Sequence, residues 1–218
     1  MDDVTTTVNA SRRYESVLRA TRAAVTRQMV LEAAWDLFTR HGYLATTVIQ
    51  IASAAGVSVD TLYSAVGRKP VILREVVEAA LSGKGVTITA EERDYVVEIR
   101  AANGAVVKIN IYAAAIAAMS PRTAPIFRAL HDGARTDPSC AALQEEISTR
   151  RAANMLLFAA DLRATGQTRE HISDQYIADV VIVTSGSEHY AQYVDHRGWT
   201  AGQFGNYLVE LWQQLFLR

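Results

Sequence analysis

Apolar residues recur at helical spacing along most of the chain, and short segments rich in Gly, Ser or Pro separate one run from the next. The clearest early run predicts an amphipathic helix that begins near Thr26 and ends at Gly42. Its apolar face, spaced i, i+4, i+7 and i+8, consists of Val30, Ala34, Leu37 and Phe38. A weaker helical pattern, with arginines on its other faces, precedes it at residues 12–25.

Two short helices and a glycine turn follow this helix. Thr47 and Gln50 have the spacing of a capping box, which predicts a helix that starts there and ends near residue 55. Gly56 permits a tight turn, and Ser58 can cap the next short helix. A fourth helix is expected to start near Pro70, since proline suits a first helical turn.

The remainder of the chain predicts helices and no strand pair. Residues 82–89 contain two glycines and no helical period, so we expect a domain junction there. Later helices are expected at residues 91–119 with a break at Asn103-Gly104, 121–134, 138–165, 172–196 with a break near Gly186, and 200–217. The prediction is therefore an all-α fold. It comprises a basic N-terminal arm (1–22), a helix-turn-helix domain (23–82) and a larger helical domain (83–218).

Charge is divided unevenly along the chain. Residues 10–74 carry nine Lys or Arg against four Asp or Glu, a charge of +5, whereas the remaining residues carry −6. A basic end joined to an acidic remainder favours an anion-binding module attached to a body that does not touch the anion. The single cysteine, Cys140, excludes an internal disulfide, and no secretory signal or membrane span is evident, so we expect a cytoplasmic protein.

The short helices and their turn form a helix-turn-helix, whose second helix can enter a major groove of DNA. The small contacts expected to hold these helices together are Ile51, Ala52, Ala55, Val57 and Leu62. The outward face of the second helix is expected to carry Val59, Asp60, Thr61, Tyr63 and Ser64. Arginines of the arm, such as Arg12 and Arg13, suit the negative potential of a narrow minor groove.

The run Ile51-Ala52-x-x-Ala55-Gly56-Val57-Ser58-x-x-Thr61-Leu62-Tyr63, with Lys69 after it, resembles the signature of the tetracycline-repressor (TetR) family. The resemblance implies a homodimeric transcriptional repressor that binds operator DNA. Tyr63, Thr47 and Lys69 would then contact phosphates, and Thr61 would face the groove. The full set of predicted DNA-binding residues is Arg12, Arg13, Thr47, Ser58, Val59, Asp60, Thr61, Tyr63, Ser64 and Lys69.

Two departures from the family pattern lie in the second short helix. Asp60 stands where an uncharged residue is common, and a carboxylate there repels phosphate unless it accepts from a cytosine amine. Ala65 and Val66 stand where His and Phe are usual, which removes one phosphate contact and shrinks a core contact. We expect these departures to alter the operator sequence or the affinity for it.

The long apolar helices of the second half can enclose a ligand. The resemblance implies a pocket for a small apolar or amphipathic effector that releases the repressor from DNA. The candidate effector-binding residues are Tyr112, Ile116, Met119, Phe127, His131, Met155 and Phe158. Apolar stripes in two later helices could each bury against their own subunit. A regulator that reads two half-sites must dimerise, however, and these two helices of each subunit would then form a four-helix interface. Its candidate residues are Ile177, Val181, Leu208, Leu211, Trp212 and Leu215.

Other functional classes receive less support from the sequence. The five histidines show no metal-ligand spacing, and no set of convergent polar groups indicates catalysis, so we expect no enzyme activity, cofactor or metal. A helical carrier protein would retain the helices without sequence-specific DNA affinity. A constitutive DNA-binding protein with no small-molecule effector also remains open, because the apolar residues of the second half can be ordinary core.

Overall fold

The fold was examined in a computed structural model, which describes residues 3–83, 89 and 91–218, with side chains from residue 18 onward except Arg19. This part of the chain is all-α, as predicted, with one isolated antiparallel bridge between Thr168 and Leu217. Its helices are α1 (Asp3–Ala45), α2 (Val48–Ala54), α3 (Val59–Ala65), α4 (Lys69–Ser82), α5 (Asp94–Ala101), α6 (Ala105–Ala134), α7 (Pro138–Arg163), α8 (Asp174–Thr184), α9 (Ser187–Tyr193) and α10 (Ala201–Phe216).

The chain divides into two compact units, one up to Val76 and the other from Val77 onward. The division falls inside α4, so this helix begins in the first unit and ends in the second. The sequence-based boundary was placed after residue 82, where α4 ends. A helix that runs through a domain boundary leaves no glycine or proline to mark it.

The first unit is a small bundle in which α1 packs against α2 and α3. The stripe predicted for its first helix is buried at Val30, Ala34 and Phe38. Further core residues are Tyr43, Ile51, Ala52, Ala55, Leu62, Ile72, Leu73 and Val76. The Arg27 guanidinium joins the helices at its edge: it forms a 2.5 Å ion pair with Glu75 and donates to the Ala65 carbonyl.

The first helix is longer than its pattern predicted. Thr26 lies inside α1 rather than capping it, because the Ala- and Arg-rich residues before it continue the helix. The predicted end is confirmed: Gly42 has φ 80° and ψ 164°, a conformation that interrupts the helix and favours glycine.

Helix α6 corrects a second prediction. Pro121 and Pro125 lie inside it, although the sequence analysis placed a break before Pro121. Residues on both sides of the prolines are buried, and the Ser120 hydroxyl donates to the Ile116 carbonyl at 2.7 Å. The break predicted at residues 103–104 is confirmed, since α6 begins after Gly104, whose φ is 88°.

The second unit is built around α6, which packs against α5, α7, α9 and α10, while α8 packs against α7. Aromatic rings fill its centre, with the Tyr112 ring 4.8 Å from Phe158 and 5.7 Å from Trp212 between centroids. Thr200 and Gln203 form a capping box at the start of α10. The predicted interruption near Gly186 is the α8–α9 junction.

Candidate DNA interface and ligand cavity

The helix-turn-helix is organised by local hydrogen bonds. The Thr47 hydroxyl accepts from the Gln50 amide at 3.2 Å, and the Gln50 side chain accepts from the Thr47 amide at 2.8 Å. Ser58 Oγ accepts from the Thr61 amide at 3.1 Å. Gly56, with φ 67°, forms the turn between the helices. Both short helices are therefore capped by side chains of their own segment, as the sequence predicted.

The outward face of α3 presents small polar groups. The predicted DNA-contacting residues that are exposed are Thr47, Ser58, Asp60, Thr61, Tyr63 and Ser64, whereas Val59 and Lys69 are partly exposed. Thr61 and Ser58 share a 2.8 Å hydroxyl–hydroxyl hydrogen bond, and Ser64 donates to the Asp60 carbonyl. Tyr63 is 47% exposed although it is aromatic, so its ring stands clear of the core.

Lys69 lies at the start of α4, where its ammonium is 4.1 Å from the centroid of the Tyr43 ring. This cation–π contact orients the side chain without neutralising its charge. The side chains of Arg12 and Arg13 lie outside the described residues, so their role in DNA binding stays a prediction.

Sequence reasoning missed some residues of this surface. Ile49 in the first turn of α2 is 71% exposed, and Gln50 and Arg68 are exposed as well. Arg68 directly precedes Lys69, and this basic pair after Gly67 could have indicated that Arg68 is part of the surface. The sequence gives no such indication for Ile49, because an isoleucine in a short helix is ordinarily expected in the core.

A cavity of about 700 Å³ opens inside the second unit. Its walls come mainly from α5, α6 and α7, and they include the seven residues predicted for effector binding. Tyr112, at its inner wall, is buried and donates to the Met155 sulfur at 3.2 Å. His131, in contrast, leaves 55% of its side chain exposed and lies 3.9 Å from the Glu188 carboxylate. The structure thus brings the predicted set together, with Tyr112 deep and His131 near the surface.

The cavity also contains polar groups that sequence reasoning missed, chiefly Arg93, Gln144 and Arg151. Helical spacing could have revealed two of them, because Gln144 and Arg151 precede Met155 and Phe158 at intervals of seven, four and three residues along α7. Asp161 lines the cavity as well, but it accepts from the buried Lys108 ammonium at 2.8 Å and is thereby paired.

The residues predicted for the dimer interface require a correction. Ile177, Val181, Leu208 and Trp212 have no exposed surface in the single protomer, so they cannot touch a partner. Leu211 and Leu215 are partly buried against the same core. The Trp212 indole donates to Thr184 Oγ1 at 2.9 Å, which locks α10 to α8 of its own subunit. Four of the six predicted residues therefore belong to the core of the second unit, whereas an interface role for Leu211 and Leu215 stays a prediction. An apolar stripe shows that a face is buried but not which subunit covers it.

Within the described part of the chain, no three His, Cys, Asp or Glu side chains are grouped as a metal site would need. None of the helices described there combines the length and the hydropathy of a membrane span.

Comparisons with known proteins agree with this geometry. Residues 30–80 match the family model described as bacterial regulatory proteins, tetR family. No match to the chain is found among curated proteins.

Solved structures match the fold over most of the chain. NalD of Pseudomonas aeruginosa, the secondary repressor of the MexAB-OprM multidrug efflux pump, is 16% identical; 90% of this chain and 98% of NalD align at a TM-score of 0.70. The MbdR regulator of Azoarcus sp. CIB is 20% identical, with 86% and 96% covered and a TM-score of 0.66.

A third neighbour, from Saccharomonospora viridis, is described as a transcriptional regulator in complex with choline. It is 17% identical, with 88% of this chain and 97% of that chain covered and a TM-score of 0.66. The family match covers the helix-turn-helix, and the neighbours share the fold that surrounds the cavity. Residues 30–80 therefore match the DNA-binding domain of tetR-family bacterial regulators, and the chain as a whole shares its fold with the solved structures named above.

Proposed function

We propose that this protein is a ligand-responsive transcriptional repressor that binds operator DNA as a homodimer and leaves it when a small apolar or amphipathic molecule fills the cavity. The observation that carries the proposal is the link between the cavity and α4. The walls that enclose the ligand space also hold the end of the helix that begins in the DNA-binding unit.

Two arginines make this link within the second unit. On α6, Arg122 Nε donates to the Ala80 carbonyl at 2.8 Å. On α7, Arg150 forms a 2.7 Å ion pair with Glu78. Arg150 also lines the cavity, so a ligand that shifts α6 or α7 would displace the C-terminal end of α4. Release of DNA would then follow as a population shift, provided that the ligand prefers the released state.

At the DNA, α3 would lie in a major groove with Asp60, Thr61 and Ser64 toward base edges. Tyr63, Thr47 and Lys69 would contact phosphates, which position the helix without reading sequence. The exposure of these side chains and the cation on α4 support this assignment. The arm carrying Arg12 and Arg13 would add contacts in the adjacent minor groove.

A dimer would have to use surfaces other than the buried stripes. The outward face of α8 carries Tyr176, 43% exposed, and Val183, 68% exposed, seven residues apart. We propose that this face, rather than the one bearing Ile177 and Val181, meets the partner subunit. Two subunits would then read two half-sites, since a symmetric dimer matches a pseudo-palindromic operator.

What is known of two neighbouring structures supports the proposal in part. NalD is a repressor, and the Saccharomonospora viridis regulator was solved with a small molecule bound. The alternative is a constitutive DNA-binding protein whose cavity takes no effector.

Selection of genomic fragments by the purified protein tests the DNA-binding part. A recovered pseudo-palindrome with half-sites about one helical turn apart supports it, and recovery of unrelated fragments contradicts it. A small-molecule screen for release of the recovered operator then separates the two alternatives. Release by at least one compound that also binds the free protein supports the effector, whereas release by none favours the constitutive protein.

A further inference from the structure

Near Tyr112, the cavity lining contains two guanidinium groups without a carboxylate partner among the described residues. Arg151 Nη2 donates to the Ile182 carbonyl at 3.0 Å and to Ser185 Oγ at 2.8 Å, both neutral acceptors. Arg93 Nη1 donates to the Tyr95 hydroxyl at 3.3 Å, and its buried Nε has no hydrogen-bond partner. Buried donors are nearly always satisfied, so this guanidinium nitrogen in the cavity wall can donate to an acceptor on a ligand.

The positive charges of Arg93 and Arg151 both act on the Tyr112 hydroxyl. Burial raises the pKa of the Tyr112 hydroxyl above its ordinary value, and the charges of Arg151 and Arg93 oppose that rise. The Tyr112 ring in turn lies 5.9 Å from the Tyr95 ring, centroid to centroid. The cavity wall around the Tyr112 hydroxyl is therefore positively charged.

Other charged residues of the cavity do not cancel this charge. Among the cations, Arg150 is paired with Glu78 and Arg128 with Asp195. Among the acids, Asp161 is paired with Lys108. The remaining acidic lining residues, Glu91, Asp132 and Glu188, are exposed, where solvent screens them.

The rest of the lining is mostly apolar and includes Ile116, Met119, Phe127 and Phe158. We propose that the effector is an amphipathic carboxylate whose head group binds Arg93 and Arg151 beside Tyr112 and whose apolar part lies along α6 and α7. The planar guanidinium fork matches a carboxylate, and such charge-assisted hydrogen bonds are strong in a partly dry site. This inference rests on the proposed function, because it names the chemical class of the proposed effector.

The same geometry disfavours a cationic ligand. Choline, which is present in one neighbouring structure, is a quaternary ammonium, a group that aromatic cages recognise. Tyr95, Tyr112 and Phe158 offer aromatic faces here, but two unneutralised arginines beside them would repel such a cation. We therefore expect this protein not to bind choline in the part of the cavity beside Tyr112.

Calorimetric titration of the full-length protein without DNA tests the inference. The probes are straight-chain carboxylates from octanoate to hexadecanoate, phenylacetate, the alcohol matched to the best carboxylate, and choline. The best carboxylate should bind at least ~10-fold tighter than its alcohol, and choline should bind weakest. Equal affinity of alcohol and carboxylate, tighter binding of choline, or no binding by any carboxylate would overturn the inference.

Variants locate the head group. Arg93→Gln should weaken carboxylate binding by ~10-fold or more and leave alcohol binding unchanged. Arg151→Gln should do the same, but Arg151 also holds the end of α8, so circular dichroism must first show an intact fold. Arg197→Gln is the matched control and should leave carboxylate affinity unchanged, because Arg197 is an exposed arginine outside the cavity. Unchanged carboxylate affinity in a folded Arg93→Gln protein would overturn the head-group site.

Failure of this inference and failure of the proposed function have different signatures. Carboxylate binding that leaves the protein on its operator contradicts the repressor mechanism and leaves the cavity chemistry intact. Release of DNA by a neutral compound, with no carboxylate bound at any concentration, contradicts only the chemistry proposed for the effector.

Discussion

The helix-turn-helix and the ligand cavity satisfy their polar groups in opposite ways. In residues 47–61 the caps are closed by side chains three residues away, as in the Ser58–Thr61 pair. In the cavity, Arg93 Nε and Gln144 Oε1 are buried and unsatisfied, and the groups around them come from helices far apart in sequence. A surface that binds DNA can have its polar groups hydrogen-bonded within the protein before DNA binds. A cavity retains unsatisfied groups that suit a ligand.

The difference extends to what each region exposes. The residues proposed to face DNA are mostly exposed polar side chains on a short, locally stabilised helix, so a substitution there changes an outer contact. Trp212 and its neighbours are buried in a large shared core, so a substitution there changes the stability of the whole second unit. Function and stability are therefore separable at outward side chains of the first unit that cap no helix, and they are coupled in the core of the second unit.

The largest expected effect is that of Trp212→Ala. Its side chain is fully buried, so removal should lower the free energy of unfolding by ~3–5 kcal/mol in urea titrations followed by circular dichroism. Val97→Ala, at a 55% exposed position of α5, should change the free energy of unfolding by less than ~0.5 kcal/mol. A small loss for Trp212→Ala would contradict its place in the core and erase the contrast between the regions.

Lys69→Ala should weaken operator binding without changing the fold. A lysine on a phosphate contributes about one released counterion, so the slope of log K against log salt should fall by ~1. Arg197→Ala, an exposed cation between α9 and α10, should leave both affinity and slope unchanged. Fluorescence anisotropy at several salt concentrations measures both, and an unaltered slope would remove Lys69 from the interface.

Ser58→Ala should shift both stability and DNA affinity by a modest amount. It removes the cap of α3, at a cost of ~1 kcal/mol of stability. Thr200→Ala removes the corresponding cap of α10 and is the matched control: it should cost a similar amount of stability but leave operator affinity unchanged. If the two variants weakened DNA binding equally, the cap would not be specific to the reading helix.

The smallest effect concerns pH. Burial among Tyr193, Phe204 and Tyr207 lowers the pKa of His189 below its ordinary value of 6.5, so the unfolded chain binds this proton more readily. Stability should therefore fall as the pH drops below about 6.5 toward the folded pKa. His189→Gln should flatten that part of the stability–pH profile in thermal melts. An unchanged profile would exclude His189 as the source.

Much of the fold followed from the sequence because its determinants are local. Thr47 with Gln50, Ser58, and Thr200 with Gln203 each mark a helix start through side chains within one turn. The wrongly predicted helix boundaries have a common cause, which is that surrounding residues override a local signal. Pro121 should end a helix by local rules, but packing on both sides carries α6 through it. Thr26 should begin one, but the preceding residues favour helix themselves.

The sequence by itself determined the all-α class, the helix-turn-helix with its caps, and the apolar composition of the helices that line the cavity. These properties depend on residues within a turn or two of one another, where spacing alone carries the information. The tertiary structure decided which side of each apolar stripe is core. It turned Trp212 and Val181 inward and left Val183 outside. It also placed Arg93 and Arg151 at one wall although 58 positions separate them in the chain. Burial and charge proximity depend on how helices pack, and no local pattern encodes that.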